Sequence, residues 1–109
     1  MKIKLQGQIV GIAYRKSVKL TLKFDALQLG NVASTLTLIN NSFKVGIKNE
    51  EGKNYVIKNA LYEGLSVSRD GDTKLKLDIE PEQMPSLKEI KDMKELLSII
   101  IVGGDTDDK

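Results

Sequence analysis

"SVKLTLKF", residues 17–24, alternates polar and apolar side chains without a break. Val18, Leu20, Leu22 and Phe24 share one face, and Ser17, Lys19, Thr21 and Lys23 share the other. A period of two is that of a β-strand with one face buried and one in water. The stretch from Phe43 repeats it, with Phe43, Val45 and Ile47 on one side and Lys44 and Lys48 on the other. The chain therefore reads as mainly β up to about residue 80. Strands are predicted near 2–14, 17–24, 32–40, 42–48, 53–61, 64–69 and 73–80. Turn-forming residues separate them: Asn40-Asn41, Asn49-Glu50-Glu51-Gly52 and Asp70-Gly71-Asp72.

The opening strand changes parity. Ile3, Leu5 and Ile9 occupy odd positions, whereas Val10, Ile12 and Tyr14 occupy even ones. One inserted residue near Gly7 or Gly11 accounts for the switch, because a bulge moves side chains to the opposite face and sharpens the bend. Such a strand can serve two sheets at a corner, as in a small barrel or a sandwich. In the hairpin "SRDGDTK", residues 68–74, matching the apolar faces sets Val67 across from Leu75. That pairing leaves a three-residue loop, Asp70 to Asp72, since a two-residue turn would set Val67 against Lys74.

After Pro81 the period lengthens. Ser86-Leu87-Lys88-Glu89 has the form of a helix capping box. Leu87, Ile90, Met93, Leu97 and Ile100 then recur every three or four residues, the stripe of an amphipathic helix. The β-branched run from Ile99 is compatible with a short final strand as well. The expected fold is thus a small antiparallel barrel or sandwich of about seven strands with one C-terminal amphipathic α-helix. Residues 1–104 form a single domain, and 105–109 form a frayed acidic tip.

The 109 residues contain neither cysteine nor histidine. Disulfides, thiolate zinc sites, thiol nucleophiles and Ser-His-Asp triads are thereby excluded, and the usual general base near neutral pH is missing. Asp70-Gly71-Asp72 lacks the glutamate that completes a calcium loop, and Asp78, Glu80 and Glu82 leave a single strand instead of converging from several. No Gly-rich phosphate loop is present. No catalytic residue, metal ligand or cofactor site is expected, so the chain reads as a binding protein and not an enzyme. The N-terminal residues lack the apolar core of a signal peptide, and no apolar run approaches the roughly 20 residues of a membrane helix. A soluble cytoplasmic protein is the expectation.

Charge is the feature that points to a partner. The net charge is +2, yet residues 1–62 carry ten Lys or Arg against three acids, while residues 63–109 carry seven against twelve. Residues 2–24 hold six cations and no anion. Lys2, Lys4, Lys19, Lys23, Lys44 and Lys48 all stand opposite an apolar row. With Arg15 and Lys16 they form a candidate phosphate-contacting surface, with Gln6, Gln8, Ser17 and Thr21 between the charges. Tyr14, beside Arg15, is the candidate ring for stacking on a base, which would favour single strands. A basic barrel with an acidic tip resembles the oligonucleotide-binding barrels of single-strand binding proteins in layout. It shares no diagnostic motif with them, and its helix comes last instead of between the third and fourth strands. The expected function is non-enzymatic nucleic-acid binding through a basic N-terminal sheet. The alternative is a protein-interaction module, such as an adaptor, an inhibitor or a homo-oligomer, whose basic face docks an acidic protein surface.

Overall fold

A computed structural model describes residues 2–35, 41–50, 52–83 and 96–103. Six antiparallel strands are found among them: β1 (Lys2–Tyr14), β2 (Val18–Phe24), β3 (Ser42–Lys48), β4 (Asn54–Val67), β5 (Thr73–Ile79) and β6 (Leu97–Val102). They close into a barrel in the order β1-β2-β5-β4-β3-β6, with β6 returning to pair with β1. Closure leaves no sheet edge among these strands. A six-stranded closed ring also departs from the five-stranded, partly open barrel of the oligonucleotide-binding fold.

The barrel interior is filled by one row from each strand, as alternation requires. Leu20, Leu22, Val45, Ile47, Ile57, Leu75, Leu77, Ile79, Leu97, Ile99 and Ile101 are buried. Near Gly7 of β1 the Phe24 ring takes the place of a side chain. A Cβ at Gly7 would lie 2.5 Å from the ring and 2.6 Å from the Lys23 carbonyl oxygen, so only glycine fits there. The parity change in β1 is a bulge at Val10: Ile9 pairs with Leu22, but Gly11 pairs with Thr21. Beyond it Ile12 turns inward against Leu20, as the sequence pattern required.

Two expected strands, 53–61 and 64–69, are one long strand, β4. Two bulges disguise its continuity. Lys58 and Asn59 together face Lys44 of β3, and Glu63 is the extra residue against β5. Each bulge reverses which side chains point inward, so Tyr55 and Ile57 are followed inside the barrel by Ala60. The β4–β5 hairpin keeps the expected parity but not the expected register. Leu65 faces Leu75 and Val67 faces Thr73, a slip of two residues that leaves the inward face intact. Ser68 and Asp72 add one further backbone bond, 2.8 Å, before the turn, where Gly71 has a φ of +92°.

The expected strand 32–40 is replaced over its described part by a helix. After a 3-10 turn (Ala26–Gln28) whose cap is Asp25, accepting from the Leu27 amide at 3.1 Å, a short helix α1 (Leu29–Ala33) follows. It packs on β1 and β5 and buries Val32, and the Thr35 hydroxyl donates to the Val32 carbonyl at 2.6 Å. Residues 36–40 of that expected strand lie outside the described residues. So do the capping box Ser86 to Glu89, the Leu87, Ile90 and Met93 stripe, and the acidic tip 105–109. The end of the expected helix is corrected. Leu97 to Val102 form strand β6, in which Leu97, Ile99 and Ile101 point into the barrel and Ile100 points out. β-Branched residues suit a pleated, two-sided strand better than a helix surface.

Candidate functional site

The strand order divides the candidate cations between two faces. β6 sits between β1 and β3, and its register fixes what surrounds it. Val102 lies between Lys2 and Lys44, Ile100 between Lys4 and Gly46, and Ser98 between Gln6 and Lys48. Strands are about 4.8 Å apart, so Lys2 and Lys44 stand roughly 10 Å from each other across β6. All four lysines are exposed, and among the described residues they form no ion pair. β1, β3 and β6 contain no acidic residue at all. Lys58 joins this face at the β4 bulge beside Lys44. The centre is apolar and low: Gly46 is flanked by Ile100 and by Val56, which is 54% exposed, and Val102 is 41% exposed.

Lys19 and Lys23 belong elsewhere. β2 pairs with β5, on the side of the barrel away from β6. Lys19 stands across from Asp78 and donates to Glu63 at 2.9 Å and to Asp78 at 3.1 Å. The hydrogen bond to Glu63, then that to Asp78, raises the Lys19 pKa above its ordinary value. Asp78 moves the other way: a hydrogen bond from Ser17, then that from Lys19, holds its carboxyl below the ordinary range. Lys19 is thus an internal counter-ion, already engaged by two carboxylates. Lys23 lies 3.7 Å from Asp72 and directly opposite Lys74.

Tyr14, Arg15 and Lys16 sit at the β1–β2 turn, where the Arg15 amide donates to the Ser17 carbonyl at 2.9 Å. Tyr14 is exposed, at 52%, but it ends a thirteen-residue strand that Lys2 begins. The stacking ring and the four-lysine face are therefore at opposite ends of β1. Phe24 and Phe43 are buried, as their parity indicates, and Tyr55 is buried too. Tyr62 is half-buried, and that burial raises its pKa.

A second set of cations went unread in the sequence. Lys74 and Lys76 project from β5, and Arg69 from the adjoining hairpin, onto a shallow open groove along β4 and β5. Their alternation with Leu75 and Leu77 marks them as outward-facing, although residues 63–109 are net acidic. The same groove holds carboxylates, each with a local partner. Glu63 pairs with Lys19, Asp72 with Lys23, and Asp70 accepts from the Ser68 hydroxyl, which lowers its pKa.

Among the described residues no group of three or more His, Cys, Asp or Glu is placed to hold a metal ion, and no helix is long and apolar enough to cross a membrane. No protein-family model, curated protein or solved structure matches the chain.

Proposed function

We propose that the protein is a non-enzymatic, cytoplasmic nucleic-acid-binding barrel that grips the phosphate backbone with the outer face of β1, β6 and β3. The observation that carries this reading is the placement of Lys2, Lys4, Lys44 and Lys48 around β6, on three strands without a single acid. Four cations with no ion-pair partner among the described residues form a local positive field, and a polyanion relieves their mutual repulsion while releasing its own counterions. Gln6 and Ser98 lie between the charges and can donate to phosphate or sugar oxygens. No aromatic ring is exposed on this face among the described residues, so bases have no platform there. Recognition on this face is accordingly of backbone and not of sequence, and duplex should bind at least as well as single strands. Lys19 is outside the contact set because Glu63 and Asp78 hold it.

The test is a titration of labelled duplex and single-stranded oligonucleotides at low salt, with circular dichroism to verify folding. With about four phosphates neutralised, log K against log salt should slope at roughly −3 to −4 on duplex. The variant K44E/K48E should weaken binding to all sequences alike and flatten the slope. Absence of binding by the folded wild type at tens of micromolar would sink the reading. A second reading is favoured by Ile100 and Val102, which lie between the lysines of β1 and β3, and by Val56 just outside them on β4. An apolar centre with a charged rim is also how a protein interface is built. In that case an acidic protein, or an acidic patch on a second copy of this chain, would occupy the face. Polyglutamate and oligonucleotides would then differ little as competitors, and the variant V56D would abolish the interaction.

A further inference from the structure

We propose that the barrel holds two nucleic-acid segments at once, one against β6 and one in the groove along β5, and so joins them. This inference rests on the nucleic-acid reading of the β6 face and adds a separate contact surface. In a ring of six strands β5 lies three places from β6, so their outer faces point in opposite directions. The molecule is 29 Å across its narrowest extent. A straight helix lying on one face therefore leaves the other open.

The groove has the chemistry for a chain-like polyanion. Lys74 and Lys76 repeat at about 7 Å along β5, and among the described residues neither forms an ion pair. Lys23, which Asp72 approaches at 3.7 Å, is set directly across from Lys74, and Arg69 lines the same end of the groove with Asp70 and Asp72. Two like charges held opposite each other repel, and an anion lying between them reverses the sign. Thr21 and Ser66 place hydroxyls among these cations, suited to donate to phosphate oxygens. Adjoining the groove, a further depression lined by Thr21, Lys76 and Arg15 extends the path to the β1–β2 turn, beside exposed Tyr14. The groove thus offers a ring at one end, which the β6 face lacks, and should take the single-stranded segment of the two.

The experiment is a capture assay. A duplex is fixed to beads, a labelled single strand is supplied in solution, and the protein is added at low salt. The wild type should bring the single strand to the beads. K74E/K76E, verified as folded by circular dichroism, should still shift a duplex in a gel through the β6 face yet lose capture at least tenfold, whereas K44E/K48E should shift duplex more weakly and lose capture as well. The neutral variant K74Q/K76Q should lose it in the same direction, which separates the loss of the groove cations from the new repulsion that glutamate introduces. Capture that survives K74E/K76E undiminished would overturn the proposal and assign joining to self-association through one face. A wild type that shifts oligonucleotides without capture would overturn this inference alone, whereas one that shifts none would overturn the nucleic-acid reading with it.

Discussion

Lys23 of β2 and Lys74 of β5 occupy directly opposed positions in the barrel wall, with one carboxylate, Asp72, 3.7 Å from the first of them. A directly opposed like-charge pair destabilises a sheet by roughly 0.2–1 kcal/mol. Replacing Lys74 with glutamine should therefore raise stability by about that amount in low-salt urea melts, with the gain shrinking as salt screens the pair. Under the proposed groove contact, a short polyphosphate should stabilise the wild type, and the same change should remove part of that stabilisation. A loss of stability on Lys74→Gln would mean that the lysine stem packs on the wall more than its charge strains it.

Gly7 is irreplaceable for a reason that can be isolated. Its missing side chain is the space occupied by Phe24. Gly7→Ala should cost about 1–3 kcal/mol, the usual penalty of forcing atoms into a packed core. Pairing it with Phe24→Leu should recover part of that loss, giving a non-additive double-mutant cycle. Simple additivity would show that the ring does not define the glycine's environment.

The inward row of β6 makes a prediction that distinguishes strand from helix. Ile99 is buried and Ile100 points outward. Ile99→Ala should cost about 2–5 kcal/mol. Ile100→Ala should cost well under half as much, because its side chain is only partly covered. A helix with Leu97 and Ile100 on its buried stripe would reverse the ranking of the two isoleucines, so a pair of denaturant melts decides between them.

Alternation revealed faces far better than neighbours. Ser17 to Phe24 was legible because one uninterrupted face is buried, and the Val10 bulge was legible because it leaves a parity break in the sequence. The β4–β5 register was not, since a slip of two residues preserves every inward side chain. The continuity of β4 was hidden by its two bulges, each of which looks like a strand end. At the C-terminal end, Leu97 and Ile100 happen to fit a helical spacing, and only the β-branched run from Ile99 spoke for a strand. The site followed the same rule. That the lysines point outward could be read directly, but which lysines meet depends on strand order. Lys2 and Lys44 are brought together by a strand near the end of the chain, and Lys19 is claimed by Glu63, 44 residues away.

The Lys19 cluster should leave a signature in the pH dependence of stability. Asp78 has a folded pKa below its unfolded value, so its contribution is present above the ordinary carboxylate range and is lost as pH falls through the lowered value. Lys19 has a folded pKa above 10.5, so its contribution is present below that value and is lost as pH rises through the raised one. Stability from this cluster should therefore be level between about pH 5 and 9 and decline on both sides. Lys19→Met should flatten the alkaline decline and weaken the acid one. Unchanged limbs in pH-dependent melts would mean that the exposed ions are fully screened.

The position of β6 in the ring also sets the order of events when the chain is made. β1 and β3 are both made before β6, and the strand that joins them is separated from β5 by residues 80–96. Until residues 97–102 are available, β1 and β3 each present an unpaired edge rich in β-forming residues, and such edges pair readily with other chains. The lysines at positions 2, 4, 44 and 48 lie on those same two strands, where their charge opposes edge-to-edge contact between nascent copies. Synthesis without a polyanion would keep the open intermediates apart, and premature neutralisation of these lysines would favour their aggregation. The same side chains that the finished barrel is proposed to use for binding would thus also guard the nascent chain.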